Sequence, residues 1–318
     1  MRSGKQRSER ETGGREDTLG GAVTRRGFLG AAAAGLAAAA MPGATEALAA
    51  GARRAGLVSP QPIGVQLYTV RDLMQKSVEN TLRQVAAIGY REVEFAGLFD
   101  KSPKKVADWL KDNKLTSPSS HIPLDRLKSS LQGVVDECQT LGNNYIVCPY
   151  VDESIRKTAD DWRKIAADLN KIGESLNRVG LKFAYHNHDF ELQPFGNEIG
   201  YDILLGQCDP KYVKMEMDLF WTTKGGKDPL AYFAKWPGRF PLVHVKDMSG
   251  SGAMVNVGEG KIDWNRIFAK RGEAGIETWH APNLEHVAVS HGPGRWTRCV
   301  PWSPRAGSGC GGASRRRG

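Results

Sequence analysis

A parallel α/β barrel, the (β/α)8 or TIM-barrel class, with its eighth βα unit degenerate or missing, is the fold that this sequence predicts. Three observations predict it. Strand-like and helix-like segments alternate seven times between residues 63 and 277, and an alternation of that length requires a parallel sheet. No GxGxxG follows the first strand and no GxxxxGK[ST] occurs anywhere, which removes the usual reason for choosing an open nucleotide-binding sheet. Polar side chains recur at alternate positions near the ends of successive strands, the pattern of residues that line a barrel's interior.

The units follow in order. IGVQLYT (63–69) precedes a helix through SVENTLRQVAAIG, in which Val78, Leu82, Val85 and Ala86 share one face. YREVEFA (90–96) precedes SPKKVADWLKDN, where Ser102 is placed to cap and Pro103 takes the first helical position. LTSPSSHI leads to a helix over 123–141, and NYIVCPY to the long TADDWRKIAADLNKIGESLNRVG. LKFAYHNH, YVKMEMDLFW and FPLVHVKDM are the next strands, with helices around IGYDILLGQC, DPLAYFAKW and DWNRIFAKRGEAG. Within the strands, Val65, Leu67, Val93, Phe95, Met215, Met217, Val243 and Val245 are expected to face the helices. Gln66, Glu92, Glu94, Glu216, Asp218, His244 and Lys246 then face inward.

The ends of the chain differ from its body. The net charge of +9 comprises +4 over residues 1–62 (nine basic, five acidic) and +6 over residues 291–318 (six arginines, no acid), which leaves −1 for residues 63–290. A nucleic-acid partner is therefore not expected, because no basic face with interleaved aromatics occurs in the body. Residues 1–50 read as an export signal. Arg25-Arg26 opens the weakly apolar FLGAAAAGLAAAA, and Ala47-Leu48-Ala49 offers a cleavage site, so the segment resembles a twin-arginine signal. The twin-arginine (Tat) translocase is the implied partner, and the periplasm or exterior the implied location. A stable membrane anchor is not expected from an alanine-rich run shorter than the about 20 strongly apolar residues a span needs. Residues 51–61 read as a linker. Cys138, Cys148, Cys208, Cys299 and Cys310 show no paired spacing, which argues against a disulfide framework or a zinc-thiolate site.

The stretch HNHDFE (186–191) concentrates the chemistry. Burying His186, His188, Glu216, Asp218 and His244 together would cost several kcal/mol per ionised group unless something neutralises them. A divalent ion does so, and imidazole with carboxylate suits Mn, Zn, Co or Fe better than Mg. Glu94 and His121 also point at the mouth. Lys246, on the same face as His244, can polarise an oxygen or pair with Asp247. Trp221, Tyr68 and Phe190 at the strand ends can supply apolar walls beside these groups.

IGVQLYTVRD, IGYREVEF, AYHNHDFEL, MEMDLFW, PLVHVKDM and VGEGKIDW together resemble the xylose isomerase-like TIM barrels, more narrowly the sugar phosphate isomerase/epimerase group with its inosose dehydratase-like members. The resemblance covers residues 62–277. It implies a divalent metal held from strands five to eight, with Asp218 and His244 as ligands. A glutamate usual on strand five is His186 here, so His186 or His188 becomes the third ligand. Glu191 matches a carboxylate that moves protons in the epimerases and is the implied general base, with Lys246 and His188 as further catalytic groups. Gln66, Glu94, His121, Trp221 and Glu259, the last in a loop that borders substrate in the family, are the expected contacts to a sugar or cyclitol. The implied reaction is isomerisation or epimerisation by proton abstraction next to a carbonyl through an ene-diolate, with dehydration of a keto-sugar or inosose as the alternative. A non-catalytic carbohydrate-binding barrel is the third reading. A homo-oligomer stays open.

After GEAGIE the pattern stops. The resemblance implies an eighth strand with a final acidic ligand, and residues 278–318 are instead rich in Gly, Pro, Arg, Ser and Trp. Such a tail is expected to be disordered, as a shifted reading frame would make it. Glu277 and Glu285 are the stand-ins for the missing acid. Failing both, the barrel is open at one seam and the activity of the chain is in doubt.

Overall fold

The structure, a computed structural model, describes residues 64–281 and the backbone of two short paired strands, Ala288–Ser290 and Trp296–Arg298. The chain divides into two units, Met1–Ser59 and Pro60–Gly318. The first unit lies outside the described residues, and with it the export signal (1–50); so do the linker (51–61), Cys299, Cys310, Glu285 and most of the tail.

Eight parallel strands close a barrel. They are β1 (Gly64–Gln66), β2 (Glu92–Phe95), β3 (Thr116–His121), β4 (Tyr145–Cys148), β5 (Lys182–His186), β6 (Val213–Asp218), β7 (Leu242–His244) and β8 (Thr278–Ala281). Each pairs with its neighbours in sequence, and β8 pairs with both β7 and β1. The expected open seam is therefore corrected. Four residues assigned to the aberrant tail form the eighth strand, because Thr278–Ala281 offers alternating side chains and a free backbone edge between two strands already set in register.

Local sequence fixes the helices as expected. Ser102 accepts from the amide of Lys105 with Pro103 following, and Thr158 and Asp161 form a reciprocal capping box at the start of Ala159–Arg178. The single helix expected over 123–141 is two, Leu124–Ser129 and Leu131–Leu141, broken at Ser130. Cys138, Cys148 and Cys208 are free and buried. No helix among the described residues is long and apolar enough to cross a membrane.

Side chains alternate across the strands as the sequence implied. Val65, Val93 and Phe95 join one core cluster under the helices, and Met215, Met217, Val243 and Val245 join another. The interior is layered. Tyr145, Val147, Ala184 and Leu242 form an apolar plug, and one step toward the C-terminal ends of the strands the interior residues become ionisable. Gly64 admits the last of them: a Cβ there would stand 2.2 Å from His280 Cδ2, so only glycine leaves room for that imidazole beside β1.

Candidate metal centre

Six strands bring six ionisable side chains to one point inside the barrel. Glu94 comes from β2, His121 from β3, His186 from β5, Glu216 from β6, His244 from β7 and His280 from β8, and all are buried. Glu216 Oε2 lies 2.7 Å from His121 Nε2, 3.1 Å from His186 Nδ1 and 3.3 Å from His244 Nε2. Glu94 Oε2 lies 2.8 Å from His244 Nε2 and 3.3 Å from His121 Nε2, while its Oε1 accepts from the Ser119 hydroxyl at 2.7 Å. Two overlapping sets of four donors result: His121, His186, Glu216 and His244; and Glu94, Glu216, His244 and His280. Within each set the donor atoms lie inside 4.8 Å of one another. Ligands about 2.0–2.2 Å from a transition metal are at most about 4.4 Å apart, so a slight contraction would seat an ion.

Whether these residues suit an ion is tested by what they lack. Glu216 Oε1, His244 Nδ1 and both ring nitrogens of His280 are buried without a hydrogen-bond partner. Orphaned polar atoms of this kind are costly unless something fills the gap. The electrostatics agree. Burial, then the neighbouring Glu94 charge, pushes the Glu216 carboxyl well above its ordinary range. Burial also works against Glu94, yet His121, His280 and His244 hold it well below that range. Burial opposes a charge on His244, and Glu216, Asp218 and Glu94 overcome it and raise His244 to about 9. Burial drives His186 well down and His280 down to about 4. Packing two acids and four imidazoles this tightly forces protons into unfavourable places, and a divalent cation would displace them.

The expected ligands divide. His186 and His244 stand in the cluster. Asp218 stands beside it: its Oδ2 pairs with Lys246 Nζ at 2.7 Å and lies 3.7 Å from His244 Nδ1, while its Oδ1 caps the helix Leu219–Lys224 through the amide of Trp221. Lys246 pairs with Asp218 and not with Asp247. His121 and Glu94, expected to contact sugar, belong to the donor sets instead.

Glu191 does not stand at the mouth, where the implied base would be; it is fully buried on the helix side of β5. There Oε1 accepts from the Tyr185 hydroxyl and Oε2 from the His188 amide, both at 2.7 Å. Burial pushes its carboxyl up to about 8. Tyr185 belongs to the core cluster under the helices, because outward and inward side chains alternate on β5. Glu191 thus holds the HNHDFE turn from behind.

At the mouth, His188 stacks on Phe190 (centroids 5.4 Å apart) and lies 5.0 Å from His186 and 5.6 Å from Trp221. Lys246 Nζ stands 5.9 Å from the Trp221 ring. His188, Phe190, Trp221 and Lys246 form a partly exposed wall, as expected of Trp221. Gln66 faces inward, but its side-chain oxygen caps the turn after β1 by accepting from the Tyr68 amide. Glu259 is exposed and accepts from Asn256.

Two residues of the cluster had a signal that was outweighed. Glu216 alternates with Asp218, and the sequence placed both inside, but the resemblance assigned the role to Asp218. His280 lies in TWHA, a strand-like alternation obscured by the composition that follows it. Glu277 is no stand-in: at the opposite end of β8 it pairs with Lys182 at 3.1 Å and accepts from Tyr145.

Comparison with known proteins agrees with the fold. An inosose dehydratase of Lacticaseibacillus casei is 23% identical over 274 residues, which cover 73% of this chain and 90% of the relative. A sugar phosphate isomerase/epimerase of Parabacteroides distasonis superposes with a TM-score of 0.62 at 23% identity, over 71% of this chain and 87% of that one. The IOLI protein, solved with a zinc atom, superposes at 0.57 with 16% identity, over 70% and 89% of the two chains. A His and carboxylate cluster at the strand ends of such a barrel supports metal-dependent isomerase, epimerase or dehydratase chemistry in general, without selecting a substrate. The sequence profile of the xylose isomerase-like TIM barrel matches residues 82–295, more than half of the chain, and to that family the chain belongs.

Proposed function

We propose that this chain is a metal-dependent isomerase or epimerase of a sugar or cyclitol that removes a proton next to a carbonyl. The observation that carries the reading is the pair of overlapping donor sets at the C-terminal end of the barrel. His121, His186, Glu216 and His244 would hold the ion, with Glu94 and His280 completing the second set. The three imidazoles of the first set favour Mn, Zn, Co or Fe over Mg, and the zinc of the IOLI protein is consistent with that choice. A divalent ion supplies Lewis-acid stabilisation of the negative charge that grows on the carbonyl oxygen.

The chain's own residues do the rest. Trp221 and Phe190 present apolar faces to the sugar's C–H groups. The Lys246 ammonium, fixed by Asp218, donates to a substrate oxygen at the mouth. With Glu191 turned away, His188 is the base that the chain offers at the mouth. A second reading, dehydration, is favoured by the inosose dehydratase relative and by the same Lys246, which could protonate a departing hydroxyl.

Full-length protein loaded with Mn and incubated in deuterated water with keto-sugars and inososes is expected to incorporate solvent deuterium into one of them. Lys246→Met should slow that exchange by about 100-fold, at the lower end of a general acid–base contribution, with metal content unchanged. Protein that binds no transition metal and exchanges no proton would be a carbohydrate-binding or inactive barrel. We further propose export of the folded, metal-loaded protein by the twin-arginine route. Replacing Arg25 and Arg26 by lysine should leave the precursor in the cytoplasm on fractionation; undiminished export would refute the signal.

A further inference from the structure

We propose that Asp247 is a positioning residue, which binds the backbone of the loop after β7 as an internal anion and so fixes Lys246 and Trp221 at the mouth. Asp247 is fully buried and has no ionic partner among the described residues. Five N–H groups converge on it. Oδ1 accepts from the amides of Met248 (2.8 Å) and Ile262 (3.1 Å), and Oδ2 from the amides of Gly258 (2.9 Å) and Gly260 (3.1 Å) and from Trp264 Nε1 (3.1 Å). A loop that turns four of its amides onto one carboxylate is an anion-binding nest, and here the anion belongs to the chain itself.

The glycines make the nest possible. Gly258 has φ +91°, and a Cβ on Gly260 would stand 2.1 Å from Asp247 Oδ1. The loop cannot approach the carboxylate with any other residue at position 260.

Consecutive side chains of an extended segment point opposite ways. Lys246 therefore faces the mouth while Asp247 faces the nest, and anchoring one sets the other. Lys246 reaches Asp218, the cap of the helix that carries Trp221, and the strand Asp247–Met248 packs on that same helix. One peptide thus joins the nest to the wall of the site. The role given to Lys246 rests on the function proposed above; the test needs neither substrate nor metal, so its failure would leave that function standing.

The test follows indole N–H signals in proton–nitrogen correlation spectra of the full chain, with Trp221 and Trp264 assigned by their phenylalanine variants. Asp247→Ala should shift both signals, and added formate, filling the nest, should return both. Movement of Trp264 alone, or a return of Trp264 with formate that leaves Trp221 displaced, would reduce Asp247 to a local loop anchor and overturn the proposal. Should Asp247→Ala not be recovered folded, Gly260→Ala lifts the loop from the other side. It must displace the same two signals, and a variant that displaces neither overturns the proposal equally.

Discussion

Glu216→Gln should abolish high-affinity binding of Mn while leaving the metal-free barrel folded. Glu216 is one of two residues common to both donor sets, and its Oε2 is in contact with three imidazoles. Burial and the Glu94 charge already press its carboxyl toward the neutral form, so a neutral amide of the same shape replaces it in the metal-free protein at little cost. An amide cannot supply the charge that an ion requires. Since changes to residues outside the ligand set typically cost about 10–100-fold in affinity, loss of a shared ligand should cost at least about 100-fold. Calorimetric titration with Mn reads the affinity directly. Thermal unfolding gives a second measure: an ion at about 100 times its Kd stabilises wild type by about 2.7 kcal/mol, and at that concentration the variant should gain almost nothing. Equal affinities in the two proteins would remove Glu216 from the site.

Glu191→Gln should make the protein more stable at alkaline pH and no different in acid. The Glu191 carboxyl rises from an ordinary 4.5 to about 8 on folding, so the folded state binds a proton that the unfolded chain has released. Such a group contributes its stability fully below pH 4.5 and loses it as pH climbs through about 8. A shift of that size has a ceiling of about 5 kcal/mol, and relaxation around the ionised group leaves roughly 2–4 kcal/mol. Glutamine can donate to the Tyr185 oxygen and accept from the His188 amide, so it mimics the protonated acid at every pH. Urea unfolding at pH 4 and pH 9 should show the curves coincide at the first and separate at the second. A parallel decline of both proteins would mean that Glu191 is not held neutral.

Most of the barrel was legible because it rests on two short-range rules. Alternation in VKMEMD and LVHVK set which face of each strand meets the helices, and Ser102-Pro103 marked where a helix begins. Those signals need no partner. β8 was not legible, because Thr278–Ala281 is strand-like only to a chain that already presents β1 and β7 as edges. The candidate site divides along the same line. His244 was identifiable from alternation and His186 from the resemblance, whereas the choice of Glu216 over Asp218 depends on Lys246, which reaches across from the end of β7 and draws Asp218 away. Glu191 misled for a similar reason: the resemblance placed it at the site, but Tyr185, one position off the inward register, bound it on the far side.

The apolar plug of Tyr145, Val147, Ala184 and Leu242 lies beneath the cluster and, among the described residues, makes the ionisable layer the floor of a well. A proton displaced when an ion binds would then leave past His188, Trp221 and Lys246, the same wall against which a substrate would rest. Occupancy of the mouth and exchange of the ion are therefore in competition. A molecule seated there would trap the metal beneath it, and metal loss to a chelator would be timed by the departure of that molecule rather than by the strength of the ligands.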